Sequence, residues 1–257
     1  MNQYKNYGLK ISDIPDVGAY KIGGVSLPKI VLQPDGDWSN YLPVYEPQFG
    51  GDWDSSGCVI WGYQNIIETT LKKLTGIEYN FSERFNYITG NVQPPGSDPH
   101  EQAEYMRKYG LISDVSLPMT KTYEEFITPK PMTEELLAEG KRWTYTMQHE
   151  YVWNTPQTSD QQKTLIKEYL QYSPLGVTVT AWFEENGVYV DKGRPNTHWV
   201  ELYGIAENGY KIFDSYDQSK KILSFDHHIS LCKRILLTKK KVLKKFWLIE
   251  LLLRIFK

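Results

Sequence analysis

Helix-like and strand-like patterns are segregated along this chain, and that limits what it can fold into. From Cys58 to Leu74 the apolar residues Val59, Ile60, Tyr63, Ile66, Ile67, Leu71 and Leu74 recur at three- and four-residue steps. That is the period of an α-helix, and Gly76 is placed to cap its end. "HEQAEYMRKYG", closed by Gly110, predicts a second helix, and "TEELLAEG" a short third. "TSDQQKTLIKEYLQYS" opens on Ser and Asp capping signals and reads as a fourth. The second half has another texture. "KRWTYTMQHEYVWN", residues 141–154, is dense in aromatic and β-branched residues and predicts a strand. "LGVTVTAWF", "GVYVD", "THWVELYGIAE", "GYKIFDS" and "KKILSF" are short strands punctuated by Gly, Asn and Pro, spaced like an antiparallel sheet. Helices first and strands second argue for an α+β fold in two lobes. There is no internal repeat.

Bulk properties narrow this further. A chain of 257 residues has material for one large domain, or for two lobes sharing a cleft. Its 40% hydrophobic and 23% charged residues suit a soluble globular protein. Two cysteines, Cys58 and Cys232, build neither a disulfide framework nor a Cys-rich zinc site, so the fold does not depend on an oxidising compartment. "MNQYKNYGLKISDIPDVGAY" lacks a seven-residue apolar core, so no signal peptide is expected there. Residues 1–27 are expected to form an arm laid on the surface, and residues 28–57, rich in Pro, Gly and Asp, a mostly looped stretch. The net charge of −2 hides an asymmetry: residues 233–257 carry +8 and the rest of the chain −10. This basic, apolar tail is too short and too charged for a confident membrane span. Three readings of it stay open: an amphipathic helix on an anionic membrane surface, a dock for a partner subunit or an acidic face of this chain, or an unstructured end.

Cys58 sits where the Gly-Asp-Ser loop before it gives way to the long helical run. A cysteine in the first turn of a helix meets unpaired backbone N–H groups and the positive end of the helix dipole. Both favour thiolate, the nucleophilic form. Gly57 beside it gives a substrate backbone room to approach. A thiolate nucleophile needs a base, and the base a group that orients it. His198 begins one predicted strand and Asp214 ends the next. Adjacent antiparallel strands can bring two such residues together, the Asp fixing the imidazole tautomer that faces the sulfur. Gln48 lies in the loop leading to the helix, where its amide could join the Cys58 N–H in binding an oxyanion. No histidine has the HExxH spacing of a zinc protease: His149-Glu150 is assigned to a strand, His227-His228 to a loop and His100 to a helix start. Cys232 is expected to be a free thiol.

From about Leu27 to Phe225 these residues resemble the papain-like cysteine proteases, the family of papain and the cathepsins. "VYEPQ…DSSGCVIWGYQNIIE" is similar to the family's Gln-loop-Cys-helix stretch. "FSERFNYITG…GSDPHEQAEYMRKYGLISDVSLPM" is similar to its Leu-Ser-Glu turn, glycine-bearing loop and following helix. "SPLGVTVTAWFEENGVYVDKGRPNTHWVELYGIAENGYKIFDSY" is similar to its Gly-Pro, His and Asn-Ser-Trp strands. His198 follows Cys58 by 140 residues and Asp214 by 156; the family spacing is about 130–150.

The resemblance implies a papain-like peptidase domain over residues 28–232, with a helical left lobe at about 50–120, an antiparallel sheet or barrel as right lobe at about 140–230, and the site in the cleft between. It implies Cys58 as nucleophile, His198 as base then acid, Gln48 as oxyanion donor and Asp214 in the orienting place usually held by Asn. Asn at 214 is accordingly expected to keep the ring oriented. Gly57, Gly96, Trp199 and Tyr216 are expected to meet substrate. The reaction implied is peptide hydrolysis through an acyl-enzyme on a peptide or protein substrate, with no metal, organic cofactor or nucleic acid. The sequence also departs from the family. Val59 follows the cysteine where Trp is common, the left-lobe disulfide cysteines are absent, and four extra residues separate Gln48 from Cys58. The twenty-six residues before Leu27 are fewer than the family's usual pro-segment. Two alternatives therefore stay open: a papain-like module with a structural or binding role in a larger assembly, and a cell-wall peptide amidase.

Overall fold

The apolar period that starts at Cys58 forms the longest helix, α1 (Cys58–Thr75), ended by Gly76 in the left-handed region at φ 72°. The computed structural model describes residues 5–11, 28–129, 131–144, 147–217 and 219–237. Every residue of α1 from Cys58 to Leu71 is buried, its polar ones included. Gln64 and Glu68 find partners outside the helix. Gln64 donates to the Ser82 carbonyl at 3.0 Å and to Asn86 Oδ1 at 2.7 Å, and Glu68 accepts the Phe81 N–H at 2.8 Å. The amphipathic pattern is thus a helix enclosed on all sides, which is affordable only because the buried amides and acid are hydrogen-bonded.

Around α1 stand α2 (Glu83–Thr89), α3 (Pro99–Tyr109), α4 (Tyr123–Ile127) and α5 (Glu134–Lys141). α3 begins where Asp98 accepts the His100 and Glu101 N–H groups, with Pro99 in its first turn. α6 (Ser159–Tyr169) opens with a capping box between Thr158 and Gln161. The predicted helices over 58–74, 100–110, 133–140 and 158–173 thus all form, with ends shifted by a few residues.

Strands dominate the second half. Two-residue strands β1 (Gly8–Leu9), β2 (Phe49–Gly50), β3 (Trp53–Asp54) and β4 (Gly96–Ser97) lie outside the main sheet, β1 pairing with β4 and β2 with β3. The main sheet has eight strands: β5 (Met147–Trp153), β6 (Leu175–Val179), β7 (Glu184–Glu185), β8 (Val188–Tyr189), β9 (His198–Ile205), β10 (Tyr210–Phe213), β11 (Lys220–Leu223) and β12 (Cys232–Leu237). Their spatial order is β5-β12-β6-β9-β10-β11-β8-β7, antiparallel except between β8 and β11. The architecture is α+β, helices first and an antiparallel sheet after.

Two placements differ from the sequence reading. Residues 233–237, expected to start the basic tail, are part of β12, hydrogen-bonded between β5 and β6 with every side chain buried. Lys233 and Arg234 are tolerated there because they are paired: Arg234 donates to Glu150 at 2.5 Å, and the Lys233 ammonium sits 3.5 Å from the Tyr151 ring centre. Residues 238–257, to which the membrane and partner readings belong, lie outside the described residues, as do 12–27. In the described part of the N-terminal arm, residues 5–11, Lys5, Lys10 and Ile11 are exposed as expected of a surface course, while Gly8 and Leu9 are buried where they pair with Gly96 and Ser97. No described helix is long and apolar enough to cross a membrane.

The core ties the halves together. α1 packs across β9. Its apolar side chains share one cluster with Trp199, Met147, Leu231, Ile235 and Leu237 of the sheet half. A second cluster lies within the sheet half, where Ile166 and Leu170 meet Val177, Val200 and Ile212.

Candidate active site

Cys58 is the first residue of α1, as its helical run requires, and Gly57 is the residue before the helix. A Cβ on Gly57 would lie 2.5 Å from the Trp61 ring and 2.8 Å from Ser55 Oγ. Glycine is required here by the packing of Trp61, a reason closer to hand than substrate approach. Cys58 is fully buried. Burial pushes its thiol well above the usual range; the Trp199 and Val59 backbone N–H groups pull it down, and the charges of Asp214 and Asp54 push it further up. Desolvation thus outweighs the helix tip and favours the thiol over the thiolate.

The same Trp199 N–H locates the imidazole, because His198 is the residue before it. His198 opens β9 opposite Val179 of β6. Its Nε2 is 2.6 Å from Asp214 Oδ1, both side chains fully enclosed. Asp214 follows β10, and its own N–H donates to the Ser219 carbonyl at 2.7 Å. The second imidazole nitrogen, Nδ1, is buried and makes no hydrogen bond. Tyr7 and Trp182 flank the ring, with centroids 5.3 and 5.5 Å away. One nitrogen is therefore fixed by a carboxylate while the other is left uncommitted, the tautomeric arrangement a general base needs.

Asp214 has a second partner, Lys221 on β11, whose Nζ lies 2.7 Å from Oδ2 and is also fully buried. Lys221 donates to the Tyr216 carbonyl as well, at 2.7 Å. Reading residue types for a catalytic set missed this lysine. The signal existed in the strand period: Lys221 is in phase with Leu223, and both face inward.

Gln48 is buried beside them. Its Oε1 accepts from Ser215 Oγ at 2.9 Å, and its Nε2 donates to Asp54 Oδ1 at 3.0 Å and to the Tyr7 carbonyl at 3.1 Å. The amide assigned to an oxyanion is thus presented to a backbone carbonyl of the chain's own arm. That arm is held along its length. The Tyr7 N–H donates to the Thr197 carbonyl at 2.9 Å, Gly8–Leu9 pair in parallel with Gly96–Ser97, and the Lys10 N–H donates to the Ser97 carbonyl at 2.9 Å. Lys5 hydrogen-bonds the Tyr216 hydroxyl, lies 3.4 Å from Asp54 and sits 4.3 Å from the Tyr216 ring centre.

The expected substrate-contacting residues divide. Gly96 and Tyr216 touch the arm, Gly96 by strand pairing and Tyr216 by edge contact with Tyr7 at 5.0 Å. Trp199 does not face the cleft. Its indole is fully buried under Gly62 and Gly176, where added Cβ atoms would lie 2.6 and 2.2 Å from the ring. Position 199 alternates inward on β9, so its side chain belongs to the core and only its N–H reaches the site. Among the described residues no group of three or more His, Cys, Asp or Glu side chains could hold a metal ion. Cys232 is a buried free thiol.

The architecture has solved counterparts. Xylellain, a cysteine protease from Xylella fastidiosa, aligns with a TM-score of 0.60 and 15% identity over 93% of this chain and 98% of its own. The Amb a 11 cysteine protease of ragweed pollen, in its proform, aligns at 0.57 and 14% identity over 85% of this chain and 69% of its own. Digestive procathepsin L 3 of the Tenebrio molitor larval midgut aligns at 0.55 and 12% identity over 86% and 77%. No protein-family model and no curated protein matches the sequence.

Proposed function

We propose that this chain, which has the papain-like fold, is a cysteine peptidase held in a self-blocked state by residues 5–11. One observation carries the reading. His198 is fixed by Asp214 on one nitrogen, and the residue after it presents its N–H to the Cys58 thiol, so nucleophile, base and orienting group converge from a helix tip and two neighbouring strands.

In the working cycle Cys58 passes its proton to His198 Nδ1 and the sulfur attacks the substrate carbonyl carbon. The oxygen, now carrying the charge, accepts from Gln48 Nε2 and the Cys58 backbone N–H. His198, held by Asp214, gives its proton to the leaving amine, and a thioester remains. Water then attacks the thioester carbon, His198 takes the water's proton, and the carboxylate leaves as that proton returns to sulfur. Residues 5–11 stand in the way by placing the Tyr7 carbonyl on Gln48 and by excluding water from Cys58.

A papain-like module that keeps the fold without turnover is the second reading, favoured by the filled cleft and by the burial that keeps Cys58 a thiol. A thiol-directed epoxide and a fluorogenic peptide library, applied to full-length protein with the arm displaced by Gly8→Val, separate the two. Labelling at Cys58, lost in Cys58→Ala, and turnover, lost in a folded His198→Ala variant, are expected. A folded Gly8→Val protein that neither labels nor cleaves would transfer the case to the second reading.

A further inference from the structure

Asp214 is a full charge where the resembling family has a neutral amide, and it is buried. An uncompensated carboxylate there would hold the imidazolium form of His198 far more firmly than an amide does, so that the proton needed by the leaving amine would be released reluctantly. The structure supplies compensation. Asp214 Oδ1 is given to His198 at 2.6 Å and Oδ2 to Lys221 at 2.7 Å, and all three side chains are fully enclosed. Lys221 is itself fixed, by the Tyr216 carbonyl and by the rings of Trp182 and Tyr189, with centres 5.0 and 5.6 Å from Nζ. Trp182 also flanks His198.

We infer that Lys221 is a positioning residue whose charge neutralises Asp214, so that the buried Asp214–Lys221 pair meets His198 as an electrically neutral acceptor equivalent to an amide. The inference rests on the peptidase reading and extends it to the tuning of the base. The other groups facing the pair do not supply this compensation. Tyr7 from the arm, Tyr45 from the segment before Gln48 and Tyr189 from β8 are all near Asp214, and burial pushes each of them up, while Cys58 from α1 carries no positive charge in either of its forms. Asp217 is exposed and screened by water, and Lys5 is paired with Asp54.

The pairing changes what Asn at 214 would do. An amide that accepts from His198 through its oxygen turns its NH₂ toward the Lys221 ammonium, donor against donor, and leaves that ammonium without a counter-charge. Asp214→Asn alone is therefore expected to damage the site, and Asp214→Asn with Lys221→Met to restore it.

The test is the pH dependence of Cys58 alkylation by iodoacetate on the full chain with the arm lifted by Gly8→Val, whose own profile is the wild-type reference for every further variant. This anionic reagent reacts fastest while the neighbouring imidazole is charged, so the rate should fall at alkaline pH as His198 discharges, and the fall should be absent in His198→Ala. In Lys221→Met the fall is expected at a pH higher by about one unit or more. In the double variant Asp214→Asn/Lys221→Met it is expected back within roughly 0.3 of a unit of wild type, since neutral has replaced neutral. Circular dichroism checks the fold of each protein. A His198-dependent fall that Lys221→Met leaves in place overturns the neutralising role while sparing the peptidase reading. A wild-type profile indifferent to His198→Ala overturns both. Should Lys221→Met fail to fold, the double variant decides: folded with the wild-type profile it supports the inference, and unfolded or shifted it ends it.

Discussion

Glu201 lies three residues beyond His198 on β9 and is fully buried near Thr69 of α1. Burial pushes its carboxyl up to about 8, the Thr69 hydroxyl pulling the other way. The consequence for stability has a definite sign. In the unfolded chain a glutamate loses its proton near pH ~4.3. The folded chain keeps it to about 8. Between those values the unfolded state releases a proton that the native state retains, so native stability falls as pH rises, by ~1.4 kcal/mol per pH unit at most. Glu201→Gln removes that slope. Its melting temperature relative to wild type is expected to climb from pH 5 to about pH 8 and to level off above that; a constant difference from pH 5 upward would mean that Glu201 is ionised in the fold. At this scale the sequence was half legible. Type and order named Cys58, His198, Asp214 and Gln48, and the structure brings His198 to Asp214 and Gln48 to Ser215 beside it. That Glu201 is buried, that Trp199 points into the core and that Lys221 faces Asp214 depend on which side of a strand each residue takes and on what covers that side.

The arm of residues 5–11 is too short and too polar to announce itself in the sequence, which is why a surface course was expected. Its path is set by backbone groups, which any sequence carries. Gly8 is the informative residue. Its φ is +111°, which side chains rarely adopt, and an added Cβ would lie 2.0 Å from the Ser56 carbonyl oxygen. Valine at that position is strained in φ and collides with backbone, at a cost of about 1–3 kcal/mol for the conformation alone. Since Leu9 is the arm's one side chain in the main core cluster, the chain can relieve the strain by lifting the arm out at the loss of that contact. Cys58 in Gly8→Val is therefore expected to react with iodoacetamide roughly tenfold faster or more, with the fold unchanged. An unchanged rate would mean that the arm does not limit access to the sulfur. The helices and strands, by contrast, were largely readable, because α1, α3 and α6 carry both the 3.6-residue period and their capping residues. β12 was missed because its run of buried residues includes Lys233 and Arg234, which look like the beginning of a charged tail until Glu150 and Tyr151 are placed beside them.

For the whole molecule, the central fact is that α1 belongs to both halves. It leads with Cys58 at the cleft, packs across β9, and shares one core with side chains from the helical part and from β5, β9 and β12. Two lobes joined by a common helix cannot lose one core without exposing the other. Thermal unfolding followed by tryptophan fluorescence and by far-ultraviolet circular dichroism is expected to give superimposable single transitions; two separated steps would show that the lobes melt independently. Taken alone, the sequence determined the order of helices and strands, the α+β class and the residue types available for thiol chemistry, since periodicity, capping and chain order are local properties that each segment carries with it. Tertiary structure alone decided the pairing of Asp214 with both His198 and Lys221, the burial of Cys58 and the course of residues 5–11 past Gln48 and Gly96–Ser97. Those depend on groups distant in the chain meeting in a space from which water has been removed, and no local pattern records the solvent that a side chain will lose.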